Sequence, residues 1–151
     1  MTTATALIGV GNPWRGDDGV GHEVVVRAGR QLTVDHEVVL CNGEPSGLLE
    51  AWSGRDLAVI VDATHGGGRP GTVRVWTDEA PAPSPAVAGS HALGVSHALA
   101  LADALGRSPA RLVVIGIEAD DVSPGHGLSA VVAAAIDEAV ALVVAAVQAG
   151  S

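Results

Sequence analysis

The sequence predicts a three-layer α/β/α domain built on a mixed five-stranded sheet, with one edge strand antiparallel. Three continuous apolar runs, typical of strands covered on both faces of a parallel sheet, indicate this fold: Ala6–Val10, Leu57–Val61 and Leu112–Ile117. Helical patterns alternate with these runs, as in βαβ units. The segment Gly71–Trp76 instead alternates apolar and polar residues. Such alternation is typical of a half-exposed edge strand, and its short Gly/Pro connection allows an antiparallel direction.

The remaining elements follow from periodicity and from turn residues. In the first helix, Val20, Val24, Ala28 and Leu32 recur every four residues and form its apolar face. The other predicted segments, in chain order, are a strand at Glu37–Leu40, a loop at Cys41–Gly47, a short helix at Leu48–Trp52, an irregular stretch at Thr77–Ala88, a helix at Ala92–Leu105 and a long final helix from Ser129 to about Val147. We detect no repeat or linker, so we expect one domain over residues 1–151.

Composition limits the classes of function. The chain has 17 acidic and 8 basic residues, a net charge of −9 and only 2% aromatic residues. This balance argues against nucleic-acid binding, because few cations face phosphates and few rings can stack on bases. One cysteine excludes an internal disulfide and suits a reducing cytosol. The apolar run Ala139–Val147 is shorter than the ~20 residues of a membrane span. We therefore expect a cytoplasmic protein that binds no membrane.

The most informative stretch is Gly9–Gly21, which contains five glycines and the adjacent carboxylates Asp17 and Asp18. It lies between a strand and a helix, so the two carboxylates are expected near the helix N-terminus, where negative charge is favoured. We expect Asp17 to cap the helix and Asp18 to act as a ligand. Asp62 ends the third strand, and ligands of such folds bind beyond the carboxyl ends of the strands.

Topology brings a histidine to the same edge of the sheet. If the fourth strand is antiparallel, it ends at the opposite edge, and the Pro-rich segment after it, at up to ~3.3 Å per residue, is long enough to return. His91, just before the next helix, would then lie beside Asp18 and Asp62. Two carboxylates and an imidazole suit Zn²⁺ or Ni²⁺ with coordination positions left open. His65, three residues after Asp62, is an alternative nitrogen ligand.

Other polar residues are weaker candidates. Glu118, after the fifth strand, either supports the site or caps a loop. Cys41 is expected to be an inert buried thiol, because no base is paired with it in the sequence. The remaining histidines are expected away from the site: His97 on another face of its helix, and His22, His36 and His126 at the surface.

Several familiar sites are missing from the sequence. Trp14 replaces the third glycine of a dinucleotide-binding fingerprint, and no Walker lysine follows the loop. His22 and His36 each begin a zincin-like pattern that lacks its second histidine. Gly94–Ala98 is similar to a nucleophile elbow, but it is predicted inside a helix and ends in alanine. These absences, together with the net charge, weigh against a small-molecule hydrolase or phosphorylase.

Taken together, the motifs resemble those of the endopeptidases that mature nickel–iron hydrogenases. The resemblance spans nearly the whole chain and rests on the following motifs: Gly9-Val-Gly-Asn-Pro, Gly16-Asp-Asp-Gly-Val-Gly21, Val61-Asp62-Ala63, Ser90-His91 with Gly94, Val114-Ile-Gly-Ile-Glu118 and Gly127-Leu-Ser129. Two features depart from the family pattern: Ala119 replaces a common proline, and Trp14-Arg15 is bulky for a variable loop.

The resemblance implies a function and a set of site residues. Members remove a C-terminal extension from the hydrogenase large-subunit precursor after nickel insertion, and their metal-binding residues correspond to Asp18, Asp62 and His91. The nickel is that of the precursor, and another divalent metal such as zinc or cadmium can replace it in vitro. Water is activated by the metal or by a carboxylate, for which Asp17 is a candidate. The alternative is a non-catalytic metal-binding maturation chaperone that uses the same residues.

Overall fold

The computed structural model describes residues 3–79, 94–125 and 127–149. The strands are β1 (Thr5–Val10), β2 (Glu37–Cys41), β3 (Leu57–Thr64), β4 (Val73–Thr77) and β5 (Arg111–Glu118). The α-helices are α1 (Val20–Gln31), α2 (Pro45–Trp52), α3 (Gly94–Leu105), α4 (Ala130–Ala133) and α5 (Ile136–Ala149), and a 3-10 turn spans Gly16–Gly19.

The strands form one mixed sheet in the order β2-β1-β3-β5-β4. The first four strands in that order are parallel, with Ile8 beside Val39 and Ile60, and Ile60 beside Val114. The edge strand β4 is antiparallel to β5, with Val75 beside Ile115. The predicted mixed sheet with an antiparallel edge strand is confirmed.

Helices cover both faces of the sheet, which makes the three layers. On one face, α1 and α5 pack over strand residues such as Leu7 and Val59. On the other face, α2 and α3 pack over Ile8 and Ile60, and the buried ring of Trp52 fills this layer. Neighbouring residues of one strand thus enter opposite layers, which explains why the central strands are apolar without alternation.

Most strands differ from the prediction by one or two residues at an end, and three larger differences have a physical reason. The helix predicted from Leu48 begins at Pro45, since proline at the first helical position lacks only an amide that has no helical partner there. β3 continues past Asp62 to Thr64 by pairing with the end of β5. The long final helix is divided into α4 and α5, because the Ala135 N–H donates to Val132 O, three residues back, instead of four.

The stretch Ala130–Ala149 is 20 residues long and contains an 18-residue window of mean hydropathy 2.3, so by length and composition alone it could cross a membrane. In the folded chain 39% of that window is buried, and α5 packs against α1 and the sheet. Core helices of soluble proteins share these properties. The stretch Ala130–Ala149 is nevertheless longer than Ala139–Val147, the apolar run identified from the sequence.

Arg55 is a buried cation at the amino edge of the sheet, just before β3. Its Nε donates to Ala51 O, its Nη1 donates to Thr3 O at 2.6 Å, and its Nη2 pairs with the Glu37 carboxylate. These bonds connect the chain start, α2 and β2 at the edge opposite the carboxyl ends of the parallel strands.

Candidate functional site

Asp18 lies in the 3-10 turn that follows β1, and the turn packs against β3. Only 3% of the residue is exposed. Its Oδ2 accepts a hydrogen bond from the Asn12 N–H at 2.9 Å, so the carboxylate is directed back toward the carboxyl end of β1. A buried carboxylate held at this position can act as a ligand for a cation.

Asp62 lies near the end of β3, opposite Gly116 of β5, and is partly exposed. Burial raises the pKa of the Cys41 thiol, and the negative charge of Asp62 raises it further. That electrostatic effect places Asp62 near the end of β2 as well. The carboxyl ends of β1, β2 and β3 therefore bring polar side chains to one edge of the sheet.

His65 is the histidine that the structure places beside Asp18. Its Nε2 is 3.9 Å from Asp18 Oδ1. The buried Glu118 binds both sequence neighbours of His65, because its Oε1 accepts hydrogen bonds from Thr64 Oγ1 at 3.0 Å and from the Gly66 N–H at 3.4 Å. Glu118 thus holds the loop that carries His65, which is the loop-capping role of the two considered from the sequence.

His91 lies outside the described residues, as does His126. The start of α3 is described, and a Cβ added at Gly94 would overlap the carbonyl oxygen of Gly43, in the loop after β2. α3 therefore begins at the carboxyl edge of the sheet, as the topology predicted. Over residues 3–79, 94–125 and 127–149, no group of three or more His, Cys, Asp or Glu side chains is arranged to hold a metal ion.

Asp17 is fully buried, and Gly19 occupies the N-cap position of α1. The prediction that Asp17 caps the first helix was therefore wrong. Its Oδ2 accepts bonds from the N–H groups of Asp120 and Asp121, both at 2.9 Å, and from Ser129 Oγ at 2.8 Å. Its Oδ1 accepts the Ser129 N–H at 2.7 Å. The donors are more than 100 residues away along the chain, so no local pattern indicates them.

These four donors determine the ionisation of Asp17. Burial alone would raise its pKa, but the hydrogen bonds from Asp121, Ser129 and Asp120 favour the charged form and bring the pKa below its ordinary value. A general base should instead have a pKa near the working pH and an oxygen within reach of water. Asp17 has a lowered pKa, and both of its oxygens are already hydrogen-bonded within the protein, so it does not suit the role of the base.

A cleft of about 490 Å³ opens at Asn12, whose N–H binds the Asp18 carboxylate. It is lined by residues of the first loop, of α1 and of the end of β2: Gly11, Asn12, Pro13, His22, Leu40, Cys41 and Asn42. The His22 Nε2 is 3.1 Å from Cys41 O, so the partly buried His22 side chain forms one wall of the cleft. Trp14, next to this wall, is 69% exposed.

The remaining candidates agree with the sequence analysis. His97 is exposed on α3, and His36 is bonded through Nδ1 to Val34 O in the turn before β2. Cys41 is half-buried, and its raised pKa makes the thiol a poor nucleophile, as an inert thiol should be.

Comparisons with known proteins identify the family. A family model described as HycI, hydrogenase maturation protease, matches residues 24–146, more than half of the chain. The hydrogenase maturating endopeptidase HybD from E. coli superposes with a TM-score of 0.79 at 28% identity, covering 97% of this chain and 93% of that one. The solution structure of an endopeptidase from Escherichia coli gives a TM-score of 0.82 at 28% identity, with the same coverage.

A more distant structure, the NiFe hydrogenase maturation protease HycI from Thermococcus kodakarensis, shares the fold with a TM-score of 0.67 at 21% identity, covering 95% of this chain and 92% of that one. A comparison with curated protein sequences gives no significant match. The family model and the HybD structure are of hydrogenase maturation proteases, and the second similar structure is of an endopeptidase. The chain is therefore a peptidase that belongs to the hydrogenase maturation protease family.

Proposed function

We propose that this peptidase removes the C-terminal extension of a nickel–iron hydrogenase large-subunit precursor after nickel insertion. Asp18, Asp62 and His91 would bind the nickel carried by the precursor, so that only a loaded precursor is held for cleavage. The observation that carries the proposal is the buried Asp18 carboxylate at the end of β1, with Asp62 at the end of the neighbouring strand β3. Family membership supplies the reaction class.

The donor set fits a borderline divalent cation. Two carboxylates supply hard oxygen ligands, and an imidazole completes a set that Ni²⁺ accepts while positions remain open for its ligands in the precursor. Zn²⁺ or Cd²⁺ could occupy the same set in vitro. The metal is part of the substrate in this proposal.

Two histidines compete for the nitrogen position. His91 is the family's counterpart by resemblance, and it precedes in sequence Gly94 of α3, which lies at the carboxyl edge of the sheet. His65 lies close to Asp18, with Nε2 3.9 Å from its Oδ1. We assign the ligand role to His91, and we assign to His65 a place beside the bound ion, where it can accept a proton from water.

Hydrolysis then requires an activated water at the scissile carbonyl. The substrate's nickel supplies Lewis-acid polarisation when it is bound. Asp18 and Asp62 would hold this nickel and so place the scissile peptide bond beside the two carboxylates. Asp17 is excluded from our mechanism as a base, because its two oxygens already accept four hydrogen bonds.

The test uses nickel-loaded precursor and single alanine variants. Asp18→Ala, Asp62→Ala and His91→Ala should each abolish cleavage, measured by mass spectrometry as loss of the C-terminal extension. His65→Ala should retain metal-dependent binding of the precursor but cleave it more slowly. His97→Ala, which removes an exposed imidazole of α3, is the matched control and should cleave normally.

Each outcome has a distinct meaning. Full cleavage by Asp18→Ala, Asp62→Ala and His91→Ala would end the proposal. Loss of binding in His65→Ala with normal cleavage by His91→Ala would give the nitrogen position to His65. A stable complex of the wild-type chain with precursor and no mass loss would indicate a non-catalytic maturation chaperone instead.

A further inference from the structure

The first loop of the chain is bonded to the loop that follows β5. Gly16 N–H donates to Gly125 O at 3.0 Å, and Asp17 N–H donates to Asp121 O at 2.8 Å. In the other direction, Gly125 N–H donates to Trp14 O at 2.8 Å. Together with the four bonds to the Asp17 carboxylate, these contacts form what we call the loop joint: residues 14–17 against residues 120–125 and Ser129.

The two loops approach so closely that a glycine is required between them. Gly16 has φ +53°, in the left-handed region, and a Cβ placed on it would lie 2.5 Å from Asp121 O. Any other residue would combine an unfavourable backbone conformation with an overlap. The loop joint therefore has little freedom to shift.

Asp18 directly follows residues 14–17 of the loop joint in the chain. The Asp18 N–H donates to Arg15 O at 3.1 Å within the same turn, and the Asp18 carboxylate accepts the Asn12 N–H at 2.9 Å. Displacement of residues 15–17 would therefore move the backbone of Asp18 and break its bond to Asn12. The position of the Asp18 carboxylate depends on the turn that Asp17 fixes.

We propose that Asp17 is a positioning residue, which holds the loop joint closed and thereby fixes the Asp18 carboxylate for binding the precursor's metal. This inference rests on the proposed function for the role of Asp18. Asp17 itself reaches neither metal nor peptide, because its oxygens face Asp120, Asp121 and Ser129. The four donors also keep its negative charge from repelling that of Asp18, its direct neighbour.

The experiment compares Asp17→Asn with the wild type and with Arg55→Gln. Asparagine keeps the shape but turns an N–H₂ group toward N–H donors. We expect kcat/KM on nickel-loaded precursor to fall about 10- to 100-fold, mainly through a higher KM, because a displaced Asp18 holds the metal less well. Under native conditions, the Asn12 amide should exchange with solvent at least about tenfold faster. Arg55→Gln, at the opposite edge, should lose stability yet keep kcat/KM and Asn12 protection.

A wild-type kcat/KM in Asp17→Asn, or unchanged exchange at Asn12, would overturn the proposal. If the wild type does not cleave, or Asp18→Ala cleaves fully, the proposed function fails instead, and Asn12 exchange alone then decides the role of Asp17. If Asp17→Asn does not fold, Ser129→Ala replaces it. That variant removes one of the four donors, so a two- to tenfold effect on both readouts is expected, roughly as for a single hydrogen bond.

Discussion

Asp17 and Asp18 are adjacent in sequence and differ completely in surroundings. Asp17 accepts four hydrogen bonds from residues more than 100 positions away, whereas the Asp18 carboxylate accepts a backbone hydrogen bond from Asn12, six positions away. The sequence indicates only that both lie near a helix start, and it assigned the cap to Asp17. Nothing local distinguishes a capping aspartate from one that binds a distant loop, so this part of the site could not be predicted.

The first residue-scale prediction concerns stability and pH. The pKa of Asp17 is lower in the folded chain than in a solvated aspartate, so its contribution is complete above about pH 4 and is lost as the pH falls through the folded pKa. At pH 7, Asp17→Asn should lower the free energy of unfolding by about 2–4 kcal/mol. The difference should shrink at pH 3, as measured by urea denaturation. A difference that grows at pH 3 would contradict this sign.

The second residue-scale prediction uses the single thiol. Because burial and the charge of Asp62 raise the pKa of Cys41, iodoacetamide should alkylate it more slowly at pH 8 than it alkylates free cysteine. Asp62→Asn should accelerate the reaction, about two- to fivefold, by removing the charge. Asp103→Asn, an exposed change on α3, is the control and should leave the rate unchanged. Equal alkylation rates in the wild type and Asp62→Asn would show that the charge of Asp62 does not affect the Cys41 thiol.

At the scale of elements, close packing of α1 on the sheet fixes the turn that carries Asp18. Gly21, in the first turn of α1, has no room for a side chain: an added Cβ would overlap Val61 O and lie 2.9 Å from Val10 O. The helix therefore contacts the backbones of β1 and β3 directly. The motif Gly-Val-Gly in the sequence indicates tight packing, although it does not identify the partner strands.

This packing predicts opposite effects of two glycine-to-alanine changes. Gly21→Ala should lower the free energy of unfolding by at least about 2 kcal/mol, because backbone atoms must move. Gly47→Ala, in α2, meets no atom within 4 Å and should raise it by about 0.5–1 kcal/mol through helix propensity. Chemical denaturation measures both. A neutral Gly21→Ala would show that α1 can slide on the sheet.

Element type was more predictable than element length. The apolar runs of β1, β3 and β5 have no alternative reading as surface strands, and the alternation in β4 correctly indicated an edge. The errors are at ends, where tertiary pairing decides. β3 reaches Thr64 because β5 continues beside it, and the division between α4 and α5 falls in an alanine-rich stretch that has no helix-breaking residue.

At the scale of the whole molecule, the candidate site draws on segments from both ends of the chain. Parallel topology made it predictable that the segments carrying Asp18 and Asp62 reach the same edge of the sheet, since neighbouring parallel strands end there. The roles of His65, His22 and Glu118 depend on loop conformations that periodicity does not determine. His91 remains a prediction.

A whole-molecule prediction follows from the net charge of −9. Self-repulsion of this charge opposes the compact state, and salt screens it. Raising NaCl from 0.02 to 0.2 M should therefore increase Tm by about 2–5 °C. Glu50→Lys, an exposed change on α2 that removes two units of negative charge, should show a smaller increase. An unchanged or lower Tm at the higher salt concentration would show that local ion pairs outweigh the overall repulsion.

The loop joint also orders events during synthesis. Asp17 emerges from the ribosome early, but its partners Asp120, Asp121 and Ser129 are translated more than 100 residues later. Until then the carboxylate has only water as a donor, and the turn bearing Asp18 has nothing to close against. A nascent or truncated chain ending before Ser129 can complete its parallel strands and still lack the closed turn around Asp18, so under the proposed function we expect it not to recognise the precursor's metal.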